Sequence, residues 1–476
     1  MIDHERLLNQ RMFTTAEVAK LLGVDESTLR RWRRSTPVEG PMMLPNSALR
    51  PRTKEHMPVT DVVFDDTYFR DPHAFYQQIQ QQGPLHRFTT PSGVHGWLIT
   101  SAPLARAVLT DARIGKGRDT MLGVSGNNTG LSLRQRLLRA SSEWVVSHML
   151  GSDPPDHTRL RHAVADHFTP RAVTALQPRI DTLTQGFIDT MDPTDPVDLV
   201  TALACPLPVA VICEILGVSD RHQHRIERSS AILSDVTVAR ARELRSASLD
   251  FTRLILPHFA TRRLRPREDL ITALTQQMKT GQVNLKESLS TVALLLIAGH
   301  ETTANLILAT LLALLRNPEE LQRVRTDPVR LNAVIDEALR TDPPLPVATL
   351  RQAHTPIELT GQHITPGELL LVSLLAANHD PQTTSHPTTF HPDRPTRHLS
   401  FGTGIHHCLG ARLARAETTA AITYLLHRYP NITLAVPPTA LRWRRSVFFR
   451  RLESLPVHLN SEPPSDSSHF IGDDAD

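Results

Sequence analysis

The sequence predicts a mainly α-helical fold with a minor β part, and three observations predict it. The stretch 285–316 is apolar along most of its length and is bounded by a cap and a stop. Helical periodicity recurs between 171 and 283, punctuated at Pro178, Pro193, Pro196, Pro206, Pro208, Pro257 and Pro266. Strand-like runs are few and short: HGWLIT at 95–100, and a hairpin pattern from Leu359 with turn residues Gly361, Pro366 and Gly367.

Composition is that of a globular protein, 40% hydrophobic and 21% charged over 476 residues. The 36 prolines imply many turns and helix stops. Cys205, Cys213 and Cys408 are too few for a disulfide framework, so a reducing cytoplasm is expected. Cys205 and Cys213 sit among apolar residues and read as core. The N-terminus has early charges and no apolar run, so neither a signal peptide nor a membrane anchor is expected. The apolar stretch 289–315 is interrupted by Gly299, His300 and Glu301; a His-Glu pair would be costly in lipid, so a buried helix is expected there.

The net charge of +3 is unevenly placed: residues 1–57 hold ten Lys/Arg against seven Asp/Glu, and the remainder balances. Residues 12–36 read as two short helices. Thr14 and Glu17 form a capping box for the first, and the second carries Arg30, Arg31, Arg33 and Arg34. A helix-turn-helix with a basic second helix is a DNA-binding layout. The sequence is read as a helix-turn-helix extension at 1–40 and a proline-rich linker at 41–57. A main domain at 58–460 and an acidic, disordered tail at 461–476 follow.

Within the main domain, Asp71-Pro72 opens a helix through Phe75 and Ile79, and 102–109 is helical. Gly115 to Gly130 is expected to be a mobile loop. The prolines at 154 and 155 precede a helix that sets His157 and Arg161 four apart on one face, a spacing that can grip a carboxylate. Asn284 with Glu287 caps the long helix, and Arg316-Asn317-Pro318 ends it after roughly 48 Å. Its middle, Ala298 to Thr303, interrupts an apolar rod. A threonine hydroxyl there is expected to compete for a backbone carbonyl, loosen a turn and open a groove. Glu337 and Arg340 stand three apart on a further helix and can pair.

The remaining chemistry converges on 401–417, FGTGIHHCLGARLARAE, a glycine-rich loop running into a helix with Cys408 just before the helix start. Helix N-termini favour negative charge, so a lowered thiol pKa is expected. A lone cysteine on such a loop suits the axial thiolate of a haem iron.

This segment closely resembles the haem-binding loop of the cytochrome P450 family through Phe401, Gly402, Gly404, His406, Cys408 and Gly410. Further motifs extend the resemblance over about 400 residues in the family's order. It implies a cytochrome P450 fold holding haem b (heme b, iron protoporphyrin IX) between the long central helix and the ligand loop. Cys408 is then the metal ligand, and His157, Arg161, Arg351 and His406 hold the haem propionates. Glu301 and Thr302 match the acid–alcohol pair that handles protons for bound dioxygen. Glu337, Arg340 and Arg394 match a structural set under the haem.

The implied function is a monooxygenase that inserts one atom of O2 into a hydrophobic small molecule, in secondary metabolism. The chain carries no Rossmann fingerprint, flavin domain or iron–sulfur cysteine set, so electrons are expected from a ferredoxin or flavodoxin with its NAD(P)H-dependent reductase. Arg412 and Arg415 are expected to face that partner. The stretch 13–34 also resembles the start of a MerR or excisionase helix-turn-helix but lacks the wing. Two alternatives follow: a haem-containing DNA-binding regulator, or a haem-thiolate enzyme that does not use O2, such as a peroxygenase or isomerase. The intact Glu301-Thr302 pair argues against the second.

Overall fold

Long helices built around one central helix carry most of the main domain, with a mixed sheet beside them. The computed structural model describes residues 60–91, 93–117, 147–219, 222–234, 241–395 and 397–460. The expected helix-turn-helix, the linker and the acidic tail lie outside the described residues.

Fourteen α-helices are present among the described residues. They are α1 (Asp66–Arg70), α2 (Pro72–Gln80), α3 (Ala102–Thr110), α4 (Asp156–Ala165), α5 (Pro170–Asp189), α6 (Pro206–Leu216) and α7 (Gln223–Ser234). The others are α8 (Ala241–Leu264), α9 (Leu270–Lys279), α10 (Leu285–Arg316), α11 (Pro318–Thr326), α12 (Leu331–Thr341), α13 (Leu374–Asn378) and α14 (Ala411–Arg428). The strands are β1 (Asp61–Val63), β2 (Leu85–Thr89), β3 (His95–Ile99), β4 (Ile114–Gly115), β5 (Val197–Asp198), β6 (Arg351–Ala353), β7 (Ile357–Leu359), β8 (Gln362–Ile364), β9 (Leu369–Val372), β10 (Thr433–Leu434) and β11 (Pro456–His458).

Six strands form one sheet in the order β1-β2-β3-β9-β6-β4, mixing parallel pairs (β1 with β2, β3 with β9) and antiparallel ones. A three-stranded sheet, β10-β11-β5, and the β7-β8 hairpin stand apart from it. The hairpin turns at Thr360 and Gly361, both at positive φ. The strand after it stops at Val372, and Ser373 caps the short helix α13 through Ala376 N.

α10 is 32 residues long and caps as its sequence requires. Asn284 Oδ1 accepts from Glu287 N at 2.9 Å, and Glu287 Oε2 accepts from Asn284 N at 2.9 Å. The helix is long and apolar enough to cross a membrane, but it is the core helix, packed on α6, α12 and α14. Leu296, Leu306 and Ile307 are among its fully buried side chains. Each such burial stabilises the fold by about 1.5–3 kcal/mol.

Three expectations need correction. Pro178 and Pro257 do not break their helices; they lie inside α5 and α8. Pro178 and Thr174, and likewise Pro257 and Arg253, are exposed, so the carbonyl that loses its N–H partner turns to water. The glycine-rich segment is not a loop from its start. Gly115 ends β4 and pairs with Gln352, where a Cβ would strike Asp153 and His354; 118–130 lies outside the described residues. Finally, α10 is helical without interruption through Ala298–Thr303. Thr302 Oγ1 donates to Ala298 O at 2.8 Å and Thr303 Oγ1 to Gly299 O at 3.0 Å, so the hydroxyls bond within the helix and do not end it.

Candidate active site

Two glycines make the Cys408 loop possible. Gly402 has φ +68° and Gly404 φ +72°, and a Cβ on Gly404 would lie 3.0 Å from Leu109 O at the end of α3. Gly402 N donates to Leu399 O at 2.7 Å, His407 N to Gly404 O at 3.0 Å, and Cys408 N to Phe401 O at 2.9 Å. The loop ends at Gly410, which caps α14 by backbone alone. Cys408 therefore stands on a fixed turn.

Cys408 is exposed, yet its thiol is crowded enough that burial pushes its pKa up. Both hold if the sulfur opens onto a walled space. The expected lowering is overturned: the Gly410 N–H and the Arg161 charge pull the thiol down, but burial outweighs them. A thiolate here needs a cation at the sulfur itself.

Beside the loop, four parts of the chain bring nitrogen-bearing side chains together. His157 comes from α4, and its ring centroid lies 4.5 Å from that of His406 on the loop. Arg161, one turn on, donates Nη2 to His407 O at 2.9 Å. Arg351 begins β6, and Lys116 follows β4. His157, Arg351 and Lys116 are all buried.

The acceptors for these donors are missing from the protein. Both ring nitrogens of His157, Nε2 of His406 and Nε of Arg351 are buried with no hydrogen-bond partner; Ile405 O lies near His157 without proper geometry. His406 is pushed down to about 2 by burial and then by the charges of Arg351, Lys116, His157 and Arg161. Burial holds Arg351 down at about 10, with only Asp153 opposing. Buried nitrogens left without partners around the charge of Arg351 call for an anion that can accept from them. The two propionates of haem b answer it, next to a cysteine able to ligate iron, so the residues fit this cofactor.

Sequence reasoning misses Lys116. Its Nζ donates to Thr349 O (3.2 Å), Thr349 Oγ1 (2.5 Å) and Leu350 O (2.6 Å), the residues just before Arg351. It thus fixes the strand that carries Arg351. No motif surrounds it, and Thr349 lies 233 positions away in the chain.

The acid–alcohol pair is divided. Ala298 is exposed and Thr302 half-buried, four apart on one face of an otherwise buried helix. Glu301 is 4% exposed and turns elsewhere, with Oε1 3.7 Å from Arg451 Nη1 and 4.0 Å from Arg444 Nη1. His300 Nδ1 lies 2.6 Å from Leu296 O within α10.

Glu337, Arg340 and Arg394 are gathered as expected. Arg340 grips both oxygens of Glu337 at 2.8 Å, and Arg394 Nε donates to Glu337 Oε1 at 3.0 Å. Arg415, expected to face a partner, instead pairs with Asp336 and lies 5.1 Å from the Phe401 ring centroid. Asp336, on α12, draws that guanidinium back onto the fold. Arg412 is exposed.

A thiol on a loop fixed by two glycines, beside buried nitrogens without acceptors, fits a haem-thiolate protein. Comparison with known proteins is narrower. A family model described as Cytochrome P450 matches residues 212–438. Cytochrome P450 107B1 of Saccharopolyspora erythraea is 38% identical over 405 residues, covering 83% of this chain and 97% of the relative. The monooxygenase PikC of Streptomyces venezuelae is 36% identical, covering 84% and 94%. The tirandamycin C-bound P450 monooxygenase TamI superposes with a TM-score of 0.77 at 35% identity, covering 84% of this chain and all of that one. The chain belongs to the cytochrome P450 family. It is a monooxygenase, its cofactor is haem b, and it draws on external redox partners and O2.

Proposed function

We propose that Cys408 would hold the haem iron through its sulfur and that His157, Arg161, Arg351 and His406 would hold its propionates. The observation that carries this is the set of buried nitrogens without protein acceptors beside the Cys408 loop. When bound, the haem supplies O2 activation for insertion of one oxygen atom into a C–H or C=C bond. The protein's own residues do the rest. The Cys408 loop fixes the sulfur, and Arg351, held by Lys116, neutralises carboxylate charge. Thr302 presents a hydroxyl on the accessible face of the middle of α10, while Glu301 is held toward Arg451 and Arg444.

The substrate class is an apolar polyketide or macrolide-like secondary metabolite. PikC of Streptomyces venezuelae, the polyketide-biosynthesis P450 PksS of Bacillus subtilis and a mycinamicin hydroxylase/epoxidase, each about a third identical, support it. The electron donor is a ferredoxin or flavodoxin with its NAD(P)H-dependent reductase, in the cytoplasm. The test is reconstitution with each donor under labelled O2. One labelled atom in a hydroxylated or epoxidised macrolide, with NADPH consumed, supports the reading; product formed from peroxide alone replaces it with a peroxygenase.

Residues 58–460 are the haem domain in this reading. The arginines at 30, 31, 33 and 34 carry a separate proposal, DNA contact by the extension. Salt-sensitive DNA retention by the full chain, lost on deleting residues 1–57, supports it; no retention at low salt ends it.

A further inference from the structure

Two acids are neighbours on α12 and, as adjacent residues of a helix must, face different parts of the molecule. Glu337 is spent on Arg340 and Arg394 in the core. Asp336 is turned to the segment that leads into the Cys408 loop. It pairs with Arg415 of α14, and His398 Nε2 lies 3.5 Å from its Oδ1. Nδ1 of His398 accepts from Ser400 N at 3.2 Å, so the ring carries its proton on Nε2, toward the carboxylate. Burial pushes the Asp336 carboxyl up, but the bonds from His398 and Arg415 outweigh it and hold the group below its ordinary value. Asp336 is therefore an anion at neutral pH.

The partners of Asp336 enclose Phe401. The Arg415 guanidinium carbon lies 5.1 Å from the centre of the Phe401 ring, and the His398 ring lies 5.8 Å from it. Phe401 also holds the ligand turn, since Cys408 N donates to Phe401 O at 2.9 Å. The residue before it is tied to the helix that carries Asp336: Ser400 Oγ donates to Leu339 O at 2.6 Å. An ion pair is thus built against the turn that fixes the sulfur. The Arg415 and Asp336 side chains are 33% and 37% exposed, so water and salt screen the pair in part.

We propose that Asp336 holds down the reduction potential of the haem iron by cancelling the charge of Arg415 at the Phe401 turn. Reduction brings one electron from the external redox partner to the iron and neither forms nor breaks a bond. A cation nearby favours the electron-richer form, and an anion disfavours it. Paired, Arg415 and Asp336 nearly cancel; unpaired, each moves the potential its own way. Local charge, hydrogen bonding and burial are the means by which a protein sets such a potential. Asp336 acts through Arg415 and is a positioning residue, with His398 holding its carboxylate in place. The proposal rests on Cys408 holding the haem iron, as above.

The test is a potentiometric titration of the holoenzyme, wild type beside Asp336→Asn, Arg415→Met and the double variant. Asparagine keeps an acceptor oxygen, and methionine keeps the apolar stem of arginine. Asp336→Asn is expected to raise the potential and Arg415→Met to lower it, while the double variant returns close to wild type. Both shifts should shrink at high salt. The reduced carbon monoxide spectrum should stay as in wild type throughout. Equal potentials in wild type and Asp336→Asn would overturn the proposal. Shifts of one sign in both single variants would overturn it too, because repacking of Phe401 and not charge would then set the potential. Should Arg415→Met fail to take up haem, Asp336→Asn decides alone, by a rise or by none. A wild type without a thiolate spectrum would instead overturn the reading of Cys408.

Discussion

Two buried arginine clusters, built from similar residues, serve opposite ends. Around Glu337, almost every donor is spent. Arg340 bonds the carboxylate twice and also the carbonyls of Asn378, Pro387 and Thr389; Arg394 adds Ser385 O, His386 O and Thr389 O. His391 N completes the set on Glu337 Oε1 at 2.9 Å. Around Arg351, four buried nitrogens are left without a partner. Composition does not distinguish the clusters; hydrogen-bond accounting does. A saturated cluster holds the fold, and an unsaturated one awaits a ligand.

The most severe way to break this contrast is at its saturated end. Glu337→Ala leaves two arginines buried without their anion and should cost about 3–5 kcal/mol. Little folded haem protein should be recovered on expression, and what survives should unfold at much lower denaturant.

Arg351→Leu should do the reverse. It removes an unsatisfied donor, so the fold should keep its denaturant midpoint while haem affinity drops roughly 10–100-fold. Haem transfer to apomyoglobin measures the affinity. Equal loss of stability in both variants would erase the distinction.

Lys116→Met sharpens it. Three acceptors on Thr349 and Leu350 would be left without their donor, at a cost of about 1–3 kcal/mol. Haem affinity should fall less than in Arg351→Leu, because Lys116 acts through the strand.

The smallest effect is a slope with pH. Burial first holds His148 at about 4 and His379 at about 3, below their ordinary value of 6.5. The unfolded chain binds those protons first, so stability is flat above about pH 6.5 and falls as pH drops toward the folded values. Each ring should contribute about 1.4 kcal/mol per pH unit in that window. Urea midpoints at pH 7, 6 and 5 measure it, and a midpoint that rises on acidification would contradict the assignment.

The local features of this fold were legible in the sequence. The Asn284–Glu287 box, the Asp71-Pro72 helix start, the two-glycine turn before Cys408 and the Glu337–Arg340 spacing each depend on residues close together in the chain. What escaped depends on burial or on distant partners. Pro178 and Pro257 read as breaks because their exposed faces are not visible in the sequence. The Cys408 thiol reads as lowered because burial, which dominates, has no signature in the motif. Lys116 and the arginines at Glu301 come from segments without any motif. Arg415 reads as facing a redox partner, because nothing in its own segment reveals Asp336, its ion-pair partner on another helix.

The central claim is that Cys408 binds haem iron as a thiolate. The direct measurement is the absorption spectrum of the purified protein, reduced and exposed to carbon monoxide, beside that of Cys408→Ala. A strongly red-shifted Soret band in the wild type, absent from the variant, is the expected result. A band at the position of histidine-ligated haem, or the same band in both proteins, would contradict the account.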